Sequence, residues 1–517
     1  MTTHKKKLSL KDKYQYLTRD MAWEPSYQKK ADIFPDEDFE GIKIIDWDKW
    51  EDPFRLTMDA YWKYQAEKEK KLYAIFDAFA QNNGHQNISD ARYVNALKLF
   101  LAGVSPLEYG AFQGYSRAGR QFSGAGARVA CQMQAIDELR HVQTQIHAMS
   151  HYNKHFNGLH DFGHMHDRVW FLSVPKSFFD DARSAGPFEF LTAISFSFEY
   201  VLTNLLFVPF MSGAAYNGDM ATVTFGFSAQ SDEARHMTLG LEVIKFMLEQ
   251  HEDNVPIIQR WIDKWFWRGY RLLSLVGMMM DYMLPNKVMS WAEAWEVYYE
   301  QAGGALFKDL ERYGIRPPKY QEQANIGKNH ITHQIWSTFY QYSQATNFHT
   351  WIPSEEEQKW LAEKYPDTFD KYYRPRFDHW QQQHAKGERF YNHTLPQLCQ
   401  VCQVPPLFTE PDDPTMLSHR QIVHEGERYH FCSEGCLDIF QFEPEKYVQA
   451  WLPVHQIYQG NCEGSDVQTV VEKYYHLKTG VDNLEYVGSP EYLRWLAWKK
   501  LGTPQGPAGS DTKLDAA

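Results

Sequence analysis

Cysteine is scarce in this chain, six among 517 residues. That excludes a disulfide scaffold and fits a reducing compartment. Positive charge is also in deficit: 53 Lys and Arg face 66 Asp and Glu, a net charge of −13. A phosphate backbone needs a basic face, so nucleic acid is not the expected partner. The one basic cluster, "HKKKLSLKDK" near the N-terminus, reads as a solvated tail. No apolar run is free of polar groups for the length of a membrane span. The nearest, "FLTAISFSFEYVLTNLLFVPFM" at 190–211, carries Glu199 and Asn204 in its middle and reads as a buried core helix with a polar task. The start is charged and lacks the apolar stretch of a signal peptide, so a cytoplasmic protein is expected, with no membrane partner. There is no glycine fingerprint for a flavin or nicotinamide and no ferredoxin cysteine spacing. Electrons for any redox chemistry must come from another protein.

Hydrophobic residues make up 43% and aromatics 16% of the chain, enough for a large core and for pockets that hold flat organic ligands. Residues 1–52 have no sustained period and read as an N-terminal arm. From 53 to 315 the pattern is helical. Apolar residues recur every three or four positions from 53 until Asn82-Asn83-Gly84. Ser89 offers an N-cap for a helix through about 115, and Ser123 for one through about 155. Further helices are expected at 186–212, 219–250, 254–284 and 290–313, with Asp219 as a cap and Pro256 in a first turn. β-branched alternation is scarce before 390. The expected class is mainly α: a bundle of long helices with extra helices beside it. Residues 316–395, rich in Trp and Tyr, read as a helical or irregular region facing partners. Residues 396–450 hold four cysteines among short strands, and 451–517 form a C-terminal segment with a disordered tail.

The chemistry begins with a repeat. "AIDELRHVQTQ" at 135–145 and "QSDEARHMTLG" at 230–240 both contain Asp-Glu-x-Arg-His, 95 positions apart. Glu138 and His141 share a helix face, as do Glu233 and His236. A histidine that binds a metal through one nitrogen gives its other N–H to a carboxylate. Asp137 and Asp232 can accept it, within a helix or across to the facing one. Arg140 and Arg235 then offset the charge. Glu427-x-x-His430 is a decoy, lacking both the Asp and the Arg. Two Glu-His pairs leave a dinuclear site short of ligands, and such bundles add one glutamate from each of two other helices. Glu108 and Glu199 are the inward carboxylates available, and each needs a partner once buried. Glu108 precedes Glu138 by 30 residues and Glu199 precedes Glu233 by 34, the spacing of two similar hairpins. Four carboxylates and two imidazoles favour iron or manganese over zinc.

This ordering, with Asp-Glu-x-Arg-His twice, resembles the hydroxylase α subunit of bacterial multicomponent di-iron monooxygenases. The likeness spans about 90–285 and is nearest the phenol hydroxylase branch, beside toluene monooxygenases. It implies a ferritin-like di-iron carboxylate four-helix bundle core with extra helices, two iron ions held by Glu108, Glu138, His141, Glu199, Glu233 and His236, and hydroxylation of phenol to catechol with dioxygen. It implies that Thr203 assists proton delivery and that Asn204 lies near a docking surface. Val104, Ala111, Phe178, Ile194, Phe198 and Phe207 match pocket-lining positions in that family, although ordinary packing also explains each. The implied partners are β and γ subunits in an α2β2γ2 hydroxylase, a cofactor-free regulatory protein and an NADH-dependent reductase with FAD and a [2Fe–2S] cluster. A toluene or benzene monooxygenase, an acyl-carrier-protein desaturase and a non-catalytic scaffold are the alternatives. A ribonucleotide reductase subunit is disfavoured, since Gln145 stands where its radical tyrosine is expected.

Cys399-x2-Cys402 and Cys432-x3-Cys436 have the spacing of a zinc site, and "YHFCSEGCLDIFQFEPEKY" resembles small TRASH/YHS modules. Four thiolates close a tetrahedron, so a structural zinc without catalysis is expected there. Cys131 and Cys462 read as packing residues.

Overall fold

The computed structural model describes residues 7–21, 25–34, 40–88, 90–156, 172–341, 350–387, 398–405 and 419–450. Ser89, Cys462 and the segment 451–517 lie outside the described residues, as does part of the basic N-terminal cluster.

Seven long or linked helical pieces build the body. They are α1 (Met58–Gln81), α2 (Ala91–Gln121), α3 (Ala125–Tyr152), α4 (Ser173–Ser184), α5 (Pro187–Leu191), α6 (Asn204–Tyr216) and α7 (Met220–Gln250). α8 (Asn254–Met278) follows α7. α1 stops where Asn83 adopts a left-handed backbone, φ 54°. α2 is capped by Asp90, whose side chain accepts from the Arg92 amide. Asp219 caps α7 through the Thr222 amide, as the sequence suggests. Ser123 does not cap α3; the N-cap is Gly124, with no side-chain bond.

The expected single helix over 186–212 is three pieces. After α5, residues Thr192–Tyr200 form a π-helix, three residues turn, and α6 follows at 43° to the first part. A wider π turn shifts the phase of the side chains that follow it and often marks a functional site. The cause is visible in α7. A Cβ on Gly240 would stand 2.2 Å from the Ser195 carbonyl oxygen, so this glycine lets α7 lie directly on the π-helix backbone. Among the described residues no single helix is long and apolar enough to cross a membrane. The stretch 290–313 is likewise broken into short α, π and 3-10 turns.

Beyond 315 the chain is more helical than its composition suggests, with helices at Gln321–Gly327, Ile331–Gln341, Glu355–Lys364 and Arg374–Ala385. Several of its aromatics turn inward: Trp336, Trp351, Tyr365 and Tyr373 are buried in the main core of this chain. Last comes a small module: the antiparallel pair β1 (Arg420–His424) and β2 (Glu427–Phe431), then α9 (Glu434–Phe442) and α10 (Pro444–Tyr447). The decoy pair Glu427 and His430 lies on β2, where a three-residue spacing puts the two side chains on opposite faces.

Candidate metal centre

α2, α3, the π-helix and α7 each aim carboxylates at one buried point, and α3 and α7 add a histidine apiece. One ligand atom from each of Glu108, Glu138, His141 and Glu233 lies within 4.8 Å of the others. Glu138, Glu199 and His236 form a second such group, sharing Glu138. His141 Nδ1 is 3.2 Å from Glu108, 3.6 Å from Glu138 Oε2 and 3.6 Å from Glu233 Oε1. His236 Nδ1 is 3.1 Å from Glu138 Oε1, 3.7 Å from Glu199 and 3.4 Å from Glu233 Oε2. Glu138 and Glu233 therefore each turn one oxygen to either half, the posture of bridging carboxylates. Glu108 and Glu199 terminate opposite ends. Glu138 Oε1, Glu233 Oε2 and His236 Nδ1 are buried and make no hydrogen bond. Such orphaned atoms are costly unless a cation sits among them. The donor set fits two oxygen-preferring transition-metal ions.

The histidines are oriented crosswise. His141 Nε2 faces Asp232 at 3.3 Å, and His236 Nε2 faces Asp137 at 3.5 Å. Each motif thus sets an aspartate against the other motif's imidazole. Arg235 bonds both aspartates, and Arg140 Nη1 reaches Asp232 at 3.1 Å and Asp137 at 3.3 Å. α1 closes the lattice. Gln65 donates to Asp137 at 2.9 Å and to Asp232 at 2.8 Å, Tyr61 donates to Asp137 at 2.7 Å, and Lys68 pairs with Asp232. Burial alone would raise the Asp232 carboxyl, but His141, Lys68 and Arg235 hold it far below the usual range. Burial likewise favours neutral rings at His141 and His236, yet the surrounding carboxylates keep both well above the ordinary histidine value. Glu138 is also raised: burial and the Glu108 charge push its carboxyl up, against the pull of His141 and His236.

Sequence reading missed the α1 residues, although Tyr61, Gln65 and Lys68 recur at helical spacing on one face. It also missed Tyr115, whose hydroxyl donates to Glu199 at 2.8 Å and meets Ser195 at 2.6 Å. Tyr115 is two turns beyond Glu108, on the same side of α2. Beside the two imidazoles, a phenol thus partners Glu199 and an amide partners Glu108: Gln145 Nε2 donates to it at 3.1 Å.

Of the pocket positions, Phe178 and Phe198 pack ring against ring, centroids 5.3 Å apart. Val104 and Ala111 flank Glu108 along α2, and Ile194 lies on the π-helix. Phe207 belongs to a separate small cluster with Met211 and Ala229. Thr203 is buried, in the turn one step past Glu199, and Asn204, part-exposed, opens α6.

The four cysteines come together apart from this centre. Ligand atoms of Cys399, Cys402, Cys432 and Cys436 all lie within 4.8 Å, with Cys402 and Cys432 sulfurs 3.4 Å apart and Cys432 and Cys436 3.7 Å. Thiolates around one tetrahedral zinc stand about 3.8 Å apart, given Zn–S bonds near 2.3 Å. Arg271 of α8 is fully buried beside them, and none of its three nitrogens makes a hydrogen bond. Burial opposes its charge, but Cys432, Cys402 and Cys436 favour it.

Residues 23–251 match the family model for methane/phenol/alkene hydroxylases, and 408–451 match the YHS domain. The chain is 83% identical to the phenol 2-monooxygenase oxygenase component DmpN of Pseudomonas sp. strain CF600, with all of both chains covered. It is 28% identical to the oxygenase component α subunit of an alkene monooxygenase system from Xanthobacter autotrophicus, covering 89% of this chain and 93% of that one. Among solved structures, xenon-pressurized phenol hydroxylase from Pseudomonas sp. OX1 superimposes with a TM-score of 0.90 at 84% identity, covering 95% of this chain and 100% of that one.

Proposed function

The chain belongs to the methane/phenol/alkene hydroxylase family, and we propose that it is the large subunit of a phenol 2-monooxygenase oxygenase component. It places one atom of dioxygen on the ring carbon beside the hydroxyl and yields catechol. The observation that carries this reading is the convergence of four glutamates and two histidines, from four helical segments, on two overlapping buried groups.

Glu108, Glu138, His141, Glu199, Glu233 and His236 would hold two iron ions, which would supply the activation of dioxygen. The remaining residues prepare that chemistry. Asp137 and Asp232 fix each imidazole with Nδ1 toward the ion and keep it basic. Arg140, Arg235 and Lys68 balance the aspartates. Tyr115 holds Glu199, and Gln145 holds Glu108. Thr203 carries its hydroxyl one turn past Glu199 and relays protons. Phe178, Phe198 and Ile194, with Val104 and Ala111, wall an apolar space suited to a flat ring and exclude water from it. Asn204, part-exposed at the start of α6, lies toward a docking surface.

The four cysteines hold a structural zinc. Two electrons per turnover come from an NADH-dependent reductase with FAD and a [2Fe–2S] cluster. A regulatory protein and β and γ subunits complete a cytoplasmic α2β2γ2 assembly. The names of the relatives, oxygenase component and α subunit, support such a multicomponent system.

The test is metal content beside product analysis. The assembled protein should hold two iron ions and one zinc per chain and convert phenol to catechol. Glu233→Ala and His141→Ala should each abolish iron loading and turnover while the helices stay folded. Full activity in either variant removes the ligand assignment.

A further inference from the structure

α3 runs three turns past His141 and presents His147 and His151 on one face, four residues apart. Their Nε2 atoms stand 3.3 Å apart. A carboxylate oxygen of Asp77, from the last turns of α1, and one nitrogen of each ring all lie within 4.8 Å of one another. Two nitrogens bound about 2.05 Å from one tetrahedral ion stand about 3.3 Å apart, whereas that length is poor for an N–H···N hydrogen bond. Both rings are held in place. Tyr73 meets His147 edge-on at 4.7 Å, and Phe76 stacks on His151 at 6.3 Å. His151 Nδ1 is buried and makes no hydrogen bond. Asp77 is exposed and the two histidines part-buried, so an ion can enter from solvent. Burial, His147 and Lys154 lower the His151 pKa, with Asp77 pulling the other way, which leaves the neutral imidazole that a metal needs.

We propose that Asp77, His147 and His151 form a third metal site, separate from the buried centre and from the four cysteines, that takes one divalent late first-row ion such as Zn2+, with solvent completing its shell. Two imidazoles and one carboxylate suit that part of the series. The ion ties α1 to α3. These are the helices that carry Tyr61, Gln65 and Lys68 on one side and Asp137 and His141 on the other, so occupancy stiffens the wall of the catalytic bundle.

The assembled oxygenase, already loaded with iron and with zinc at its cysteines, is titrated with Zn2+ by calorimetry. Bound iron is followed by absorbance throughout. One further equivalent per chain is expected. His151→Ala and His147→Ala should lose that equivalent with iron and cysteine-bound zinc intact, and Asp77→Asn should bind at least tenfold more weakly. Hydrogen exchange over 73–80 and 145–152 should slow on Zn2+ addition in the parent alone. No further equivalent in the parent, or unchanged binding in the histidine variants, overturns the site. Loss of binding in His85→Ala but not in His151→Ala also overturns it, by moving the ion to the stacked pair His85 and His155.

Discussion

Single side chains decide the centre, and the sequence carries most of them openly. Glu138, His141, Glu233 and His236 are legible because a helix puts third neighbours on one face and because the pattern is spelled twice. Glu108 and Glu199 are legible because a carboxylate in an apolar helix is expensive. What a one-dimensional pattern cannot display is direction across the bundle. That Asp232 faces His141 and Asp137 faces His236 depends on how α3 and α7 meet. Tyr115 was hidden because tyrosine is common in cores and says nothing by type. The crossed aspartates give a sharp expectation. Asp232→Asn keeps the shape but removes the anion that His141, Lys68 and Arg140 share. Iron affinity and catechol formation should each fall about 10–100-fold. Iron per chain and initial rates check this, and an unaltered iron affinity would contradict the pairing.

Helical elements were legible in kind and roughly in place, but their breaks were not. Over 186–212 most residues are apolar, so the hydrophobic pattern has little phase and does not reveal a π turn. The signal sits elsewhere, in Gly240, one turn past His236 on the facing helix. Gly240→Ala should force the π-helix away from α7. Overpacking of this kind costs about 1–3 kcal/mol. A lower Tm should come with loss of iron, because Glu199 rides on the displaced segment. A second element-level device is the cap on α5. Glu40, from the N-terminal arm, accepts from the Phe188 amide at 2.8 Å and the Glu189 amide at 2.6 Å. Burial pushes its carboxyl from the ordinary 4.5 up to about 8, outweighing the two amide donors. A raised acid favours the folded state fully below its ordinary value, and that benefit is lost as pH climbs toward 8. Glu40→Gln keeps an acceptor without a charge. Its Tm relative to the parent should rise between about pH 4.5 and 8 and level off above, as scanning calorimetry at matched ionic strength can measure; a constant difference would refute the cap's titration.

For the molecule as a whole, the sequence marked out a helical body and a cysteine module, but not what joins them. The joint is ionic. Asp181 of α4 is buried and meets Lys264 and Arg268 of α8 together with Lys446 and Tyr447 of α10. Burial opposes the Asp181 charge, but these cations pull its carboxyl well below the usual range. Asp181→Asn leaves two buried cations short of their anion and should cost about 3–5 kcal/mol of stability, read by denaturant unfolding. Cys432→Ser should release zinc and strand Arg271, lowering Tm even while iron stays bound. Trp336, Trp351, Tyr365 and Tyr373, within the stretch expected to face partners, fill this chain's own core, because composition reports aromatic area and not the side it faces. The crosswise pairing also reaches past local geometry. Each half of the duplicated motif borrows from its twin the anion that aims its imidazole, and the two shared glutamates span both halves. Neither half is competent alone, so partial loading should be disfavoured. Under limiting metal, native mass spectrometry of the chain should find empty and doubly occupied molecules side by side, with few carrying one ion.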